Sequence, residues 1–235
     1  DLLLHPLFIQ TIALLRGKGL QIGVNTNCLA LNQEQAEAIA KYCKYCRISL
    51  DSGDAKLYRK THGMDARAFD NVLENIRLLA AVKKREGTLL SLGTGFLTSK
   101  ETAGQMECFV KLSKECGVDF AQFRPFQEDT TDVLEEYARL KKIYDDDGFR
   151  VLASQQKYGA FKGGKAKLYD HCRGMFFSTV ITANARVYAC LHHRQDPRYL
   201  IGDMREGNSL AAIWNSYQKW KVFEQINVQG CPAFC

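Results

Sequence analysis

The sequence predicts an α/β protein, a parallel sheet with covering helices, followed by a small β-hairpin-plus-helix unit that carries cysteines. Three observations predict it. Strands and helices alternate strictly over the first ~140 residues, the pattern of a parallel sheet, open or curled into a barrel. Polar residues gather at the C-terminal ends of the strands, the edge where parallel α/β folds bind ligands: Thr26 and Asn27, Ser49 and Asp51, Gln122 and Arg124. Four cysteines, Cys172, Cys190, Cys231 and Cys235, cluster in the last third of the chain.

In chain order, His5-Pro6 opens a helix in which Phe8, Ile12 and Leu15 recur at helical spacing, and Gly17-Lys18-Gly19 stops it. Leu20–Val24 is a strand ending on Asn25-Thr26-Asn27. Asn32 caps a helix running to about Cys43. Arg47–Asp51 is the second strand, and the polar stretch 52–67 reads as a loop. Phe69, Val72, Leu73, Ile76, Leu79 and Ala80 mark an amphipathic helix to about Arg85. Leu89–Leu97 is a strand, Met106, Phe109 and Val110 mark a helix closed by Gly117, and Phe120–Phe126 is another strand. A helix follows from Asp132 to about Asp145. The domain reading is 1–156 for the sheet, 157–170 for a Gly- and Lys-rich linker, and 171–235 for the cysteine unit. In that unit Phe176–Cys190 is a hairpin turning at Asn184, and Ser209–Ile226 is one helix.

The bulk properties are those of an ordinary globular chain. Of 235 residues, 46% are hydrophobic and 25% charged, enough apolar mass for a core. The net charge of +6 is a mild excess spread along the chain, which speaks against a nucleic-acid partner. No apolar run approaches the roughly 20 residues of a membrane span. Asp1 followed directly by Leu2-Leu3-Leu4 reads as a chain cut inside a folded element, hence a fragment. Nine cysteines, an odd number spread among strands, do not resemble a secreted disulfide framework and favour reduced thiols or metal ligands in the cytoplasm.

Cys28, Cys108 and Cys116 sit in or beside apolar elements and read as buried thiols. Cys43-Lys44-Tyr45-Cys46 is a C-x-x-C without a second pair nearby. Cys190 follows a hairpin strand, and Cys231 and Cys235 flank a proline-containing turn. Four thiolates on turns can converge on one centre, and zinc or an iron–sulfur cluster accepts them equally. His192 and His193 are further donors in the same region. The alternative to an enzyme is therefore a non-catalytic α/β binding module with a structural zinc site of four cysteines.

The ordered motifs resemble those of radical S-adenosylmethionine enzymes with a C-terminal Twitch or SPASM auxiliary-cluster domain. Asp1–Pro6 is similar to the tail of the family's GGEPLLHP segment, with Asp1 in place of glutamate. Val24–Cys28 resembles its TNG strand end, with Cys28 in place of glycine. Ile48–Gly53 resembles iSlDG, and Leu57-Tyr58-Arg59 the yR that follows. Tyr188-Ala189-Cys190, Ile201-Gly202-Asp203 and Ile213-Trp214-Asn215-Ser216 resemble the auxiliary domain's vypC, iGni and iW.s. The glycine usual five residues before the second auxiliary cysteine is Ala185 here, and the final pair is C-x-x-x-C. The family's C-x-x-x-C-x-x-C is absent from the chain, and the resemblance places it upstream of Asp1.

The resemblance implies a partial (β/α)6 barrel lacking its first strand and helix. It implies S-adenosylmethionine at the C-terminal strand edge, with Asp1 at the methionine amino group, Ser49 and Arg59 at its carboxylate, and Thr26, Asn27 and Asp51 lining the same mouth. Gln122 and Arg124 would face cofactor or substrate. It implies a radical-initiating [4Fe-4S] cluster with ligands upstream, and an auxiliary [4Fe-4S] cluster on Cys172, Cys190, Cys231 and Cys235. The reaction implied is reductive cleavage of the cofactor to a 5′-deoxyadenosyl radical that abstracts hydrogen from a peptide or small-molecule substrate. The electron donor would be of the flavodoxin or ferredoxin kind, and the fragment alone would be inactive.

Overall fold

The computed structural model describes residues 1–126, 129, 131–163 and 167–232. The chain divides into two compact units, Asp1–Gly159 and Ala160–Cys235.

The first unit is built on a five-stranded parallel sheet in sequential order. Its strands are β1 (Gly23–Thr26), β2 (Tyr45–Ser49), β3 (Ser91–Thr98), β4 (Phe120–Pro125) and β5 (Arg150–Ala153). The helices are α1 (Phe8–Gly17), α2 (Gln33–Tyr42), α3 (Ala55–His62), α4 (Ala66–Glu86), α5 (Met106–Glu115), α6 (Leu134–Tyr144) and α7 (Gln155–Gly163). Asn32 caps α2 through a reciprocal capping box with Gln35, as its sequence position predicts. Strand alternation separates two chemically different faces. Val24, Ile48, Leu92, Phe96, Ala121, Phe123 and Val151 are buried with Ile39, Ile76, Leu79, Phe109 and Leu140 of the helices in one continuous core. The register puts Ser49 beside Gly95 and Gly95 beside Gln122, on the opposite face. That face also carries Asn25, Arg47 and Arg124, and it is the polar one.

Three readings of this unit are corrected. Residues 52–67 are not all loop, because α3 forms within them. Asp54 caps it by accepting from the Leu57 N–H at 2.7 Å, and Leu57 and Tyr58 bury its inner side. Its exposed face is so polar that the two buried residues alone carry the signal. β5 completes the sheet where no strand was expected, since only Val151 of it is buried. The stretch read as linker from residue 157 begins inside α7.

The second unit has a three-stranded antiparallel sheet, β6 (Val180–Ile181), β7 (Arg186–Tyr188) and β8 (Leu200–Asp203). The hairpin matches expectation, and β8 is an addition to it. The single helix expected over 209–226 is two, α8 (Leu210–Trp214) and α9 (Tyr217–Gln225). Ser216 breaks it, accepting from the Lys219 N–H at 3.4 Å as the cap of α9. Met175, Val187, Ile201, Ile213, Val222 and Ile226 form a separate core, with Cys172 and Cys231 packed against it. Among the described residues no helix is long and apolar enough to cross a membrane.

Candidate active site

The carboxyl edge of the sheet gathers most of the residues singled out from the sequence. Asp1 is tied to the end of β1: its carboxylate accepts from the Thr26 hydroxyl at 2.8 Å, the Asn27 N–H at 2.8 Å and the Leu3 N–H at 2.9 Å. These bonds hold one carboxylate at a fixed place and leave it acceptor capacity for a further donor. Thr26 lies on the helix-covered face, buried, and its hydroxyl also accepts from the Cys28 N–H. Asn27 accepts from the Leu29 N–H. Thr26 and Asn27 therefore shape the edge and orient Asp1. Cys28 takes the left-handed conformation, φ +64°, at the position where the resembled motif has glycine. Asn75 of α4 braces that turn by donating to the Cys28 carbonyl at 2.8 Å.

Just past β2, Asp51 also has positive φ, +50°. Its carboxylate accepts from the Leu97 N–H at 2.7 Å and stands 4.0 Å from His62 Nε2. Burial pushes the Asp51 carboxyl above its usual range, opposed by the Leu97 N–H, His62, Arg124 and Arg47. Asp51, His62, Leu97, Lys100, Phe126 and Asp129 line a cleft of about 600 Å³ at this edge. Ser49 is half-buried and Arg59 is exposed on α3, and neither side chain has a polar partner among the described residues. The edge thus presents the Asp1 carboxylate and the Ser49 hydroxyl with capacity left for a ligand, while Arg59 stands exposed on α3.

Gln122 and Arg124 lie on the polar face of β4, and a residue that sequence reasoning passed over joins them. Arg47 of β2 crosses the backbone of Gly95 and donates to Gln122 Oε1 at 2.7 Å. A Cβ at Gly95 would stand 3.3 Å from Arg47 Cδ, so the missing side chain leaves the arginine its path. The signal in the sequence was a charged residue alternating with the buried Cys46 and Ile48 in a parallel strand. His62 was likewise hidden in the stretch read as loop.

In the second unit Cys172, Cys190 and Cys231 are half-buried thiols, whereas Cys28, Cys43, Cys46 and Cys116 are buried in the first. Burial pushes the Cys28 thiol up to about 12 and Cys43 to about 11, which keeps both protonated and inert. Cys108 corrects the reading of it as buried: it sits on the outer side of α5, exposed. Cys231 Sγ lies 3.4 Å from His193 Nε2, and that ring stacks on Tyr199 with centroids 3.9 Å apart. Lys167 donates to the carbonyls of Cys231 and Pro232, fixing the terminal turn. Cys235 lies outside the described residues. Among the described residues no three His, Cys, Asp or Glu side chains are gathered closely enough to hold a metal ion. The donor types, three half-buried thiols of which Cys231 stands beside an imidazole, are those a thiolate-held centre uses.

Comparison with known proteins agrees with this division. Residues 172–235 match the model of the SPASM family, an iron–sulfur cluster-binding domain. No curated protein matches the chain. Among solved structures, Streptococcus suis SuiB bound to precursor peptide SuiA is similar at a TM-score of 0.70 and 14% identity, over 96% of this chain and 54% of that one. SuiB bound to S-adenosylmethionine gives 0.67 at 14% identity, over 93% and 54%. Native anSMEcpe with bound AdoMet and Kp18Cys peptide gives 0.58 at 16% identity, over 87% and 59%. The chain spans about half the length of the SuiB structures it matches. It thus has the fold of these proteins and carries the SPASM match at its C-terminal end, as the motif resemblance to radical S-adenosylmethionine enzymes with an auxiliary-cluster domain implies.

Proposed function

We propose that the chain is part of a radical S-adenosylmethionine enzyme that modifies a peptide or small molecule. The single observation that carries this reading is the SPASM match over Cys172, Cys190 and Cys231 in a chain whose fold is that of SuiB. The five-stranded sheet is then a partial barrel whose polar face is its interior. S-Adenosylmethionine would supply, on reductive cleavage, the 5′-deoxyadenosyl radical that takes a hydrogen atom from the substrate. Asp1, oriented by Thr26 and Asn27, would receive the cofactor's ammonium group. Ser49 and Arg59 would hold its carboxylate, a hydroxyl and a planar guanidinium being suited donors. Asp51 would keep the β2–β3 edge in register through Leu97. Gln122 and Arg124 would face the substrate.

Cys172, Cys190 and Cys231, with Cys235, would hold an auxiliary [4Fe-4S] cluster. A small one-electron donor protein of the flavodoxin or ferredoxin kind would be the reductant. Anaerobic reconstitution with iron and sulfide tests the reading: about four irons per chain are expected, with charge-transfer absorption lost on Cys172→Ala or Cys190→Ala. A colourless protein holding one zinc would sink it and favour the structural zinc module.

A further inference from the structure

The polar face of the sheet holds more positive charge than its neighbours neutralise. Arg47 and Arg124 both project from it, and the Nε of each is buried with no acceptor. Neither guanidinium is ion-paired among the described residues, and Arg47's bond to Gln122 engages a neutral oxygen. Asp51 is near enough for both arginines to favour its charge, but its carboxylate accepts from the Leu97 N–H, stands 4.0 Å from His62, and forms no ion pair with either arginine among the described residues. Burial and the neighbouring Arg47 hold the Arg124 guanidinium below its usual range, opposed by Asp51, Tyr45 and Tyr158. Gly95 lets the Arg47 side chain cross β3 toward the strand that carries Arg124. Two half-buried cations with free donor edges on one face are costly unless an anion joins them.

We propose that Arg47 and Arg124, aligned by Gln122, form a carboxylate-binding subsite for an acidic group of the substrate, a glutamate or aspartate side chain of a peptide. The terminal Nη groups of Arg124, and the one Arg47 does not spend on Gln122, are not buried and can meet carboxylate oxygens, and a planar two-oxygen anion suits a pair of planar forks. The inference rests on the proposed function, in which this face seats the substrate. It adds that the substrate is recognised as an anion, through a residue, Arg47, outside the motifs of the sequence.

Calorimetric titration of the chain with a capped glutamate (N-acetyl, N′-methylamide) and with the capped glutamine of the same shape tests it. Glutamate is expected to bind at least about tenfold more tightly than glutamine, with Arg47→Gln and Arg124→Gln each abolishing the preference. Equal binding of the two probes, or a preference that survives both variants, overturns the proposal. Displacement of the capped glutamate by S-adenosylmethionine would assign the subsite to the cofactor's own carboxylate and likewise overturn it. Thermal unfolding without ligand gives an independent reading: each variant is expected to unfold at or above the wild-type temperature, because it removes one of two repelling half-buried charges. A clear drop for both variants would show the arginines to be structural and would overturn the proposal. Iron loading on Cys172, Cys190 and Cys231 is unaffected by either variant, so failure of the subsite and failure of the broader reading are told apart.

Discussion

Replacing Ala185 by glycine should stabilise the second unit, against the usual direction of such a change. The β6–β7 turn is closed by the Ala185 N–H on the Thr182 carbonyl at 2.8 Å and the Thr182 N–H on the Arg186 carbonyl at 2.9 Å. This is the bonding of a three-residue hairpin loop whose last residue is left-handed, and Ala185 has φ +62°. An L-residue there costs about 1–2 kcal/mol. Glycine removes that cost and returns about 0.5–1 kcal/mol through its greater freedom in the unfolded chain. The net gain is about 0.5–1 kcal/mol. The chain's two tryptophans, Trp214 and Trp220, both lie in the second unit, so their fluorescence follows its unfolding in urea. With a slope near 1 kcal/mol/M for so small a unit, the midpoint should rise by about 0.5–1 M at unchanged slope. A midpoint that falls would refute the strain at this turn.

Four further outcomes follow from the structure. Gly202→Ala should cost the second unit about 1–3 kcal/mol in the same urea assay, because a Cβ there would stand 2.7 Å from Ile213 Cγ2. Asn32→Ala removes the α2 capping box and should lower first-unit stability by about 1 kcal/mol, read by far-UV circular dichroism. Alkylation of the native, cluster-free protein should modify Cys108, Cys172, Cys190 and Cys231 and spare Cys28, Cys43, Cys46 and Cys116, and mass spectrometry after cluster assembly should leave Cys108 alone reactive in this set. Asp51→Asn tests the raised carboxyl. A carboxyl raised in the folded state adds stability that is full below its unfolded value, about 3.9, and is lost as pH rises through its folded value. The wild type should therefore lose first-unit stability over that window relative to the variant, and parallel pH profiles would contradict the burial of the charge.

Much of the fold was legible because burial wrote it into the sequence. Phe69, Val72, Leu73, Ile76 and Leu79 recur at helical spacing because one stripe of α4 meets the core, where all five are buried. β5 and α3 were missed for the converse reason: each buries one or two side chains and leaves no period to read. The break at Ser216 was missed because no glycine or proline marks it between Ser209 and Ile226. At the site, residues fixed by backbone geometry were readable as motifs. Asp1, Thr26 and Asn27 form one hydrogen-bonded edge. The Gly202–Ile213 contact explains why two separated segments, iG and iW, occur together. Arg47 was not readable, since its partner Gln122 is 75 positions away and only the register of β2, β3 and β4 brings them together.

The two places where the resembled pattern has glycine and this chain does not, Cys28 and Ala185, fall where the backbone still has positive φ. Each keeps the conformation that glycine would adopt freely, so the surroundings must hold it. For Cys28 the holders are visible: Asn75 donates to its carbonyl, the Thr26 hydroxyl accepts from its N–H, and its side chain is fully buried. Ala185 has only backbone bonds, its N–H to Thr182 and its carbonyl to Met204, and its methyl is partly exposed. The two substitutions therefore differ in kind. At Cys28 the buried side chain offsets the strain by packing, so glycine there would exchange one cost for a cavity. At Ala185 nothing offsets it, which is why the stabilising substitution lies there.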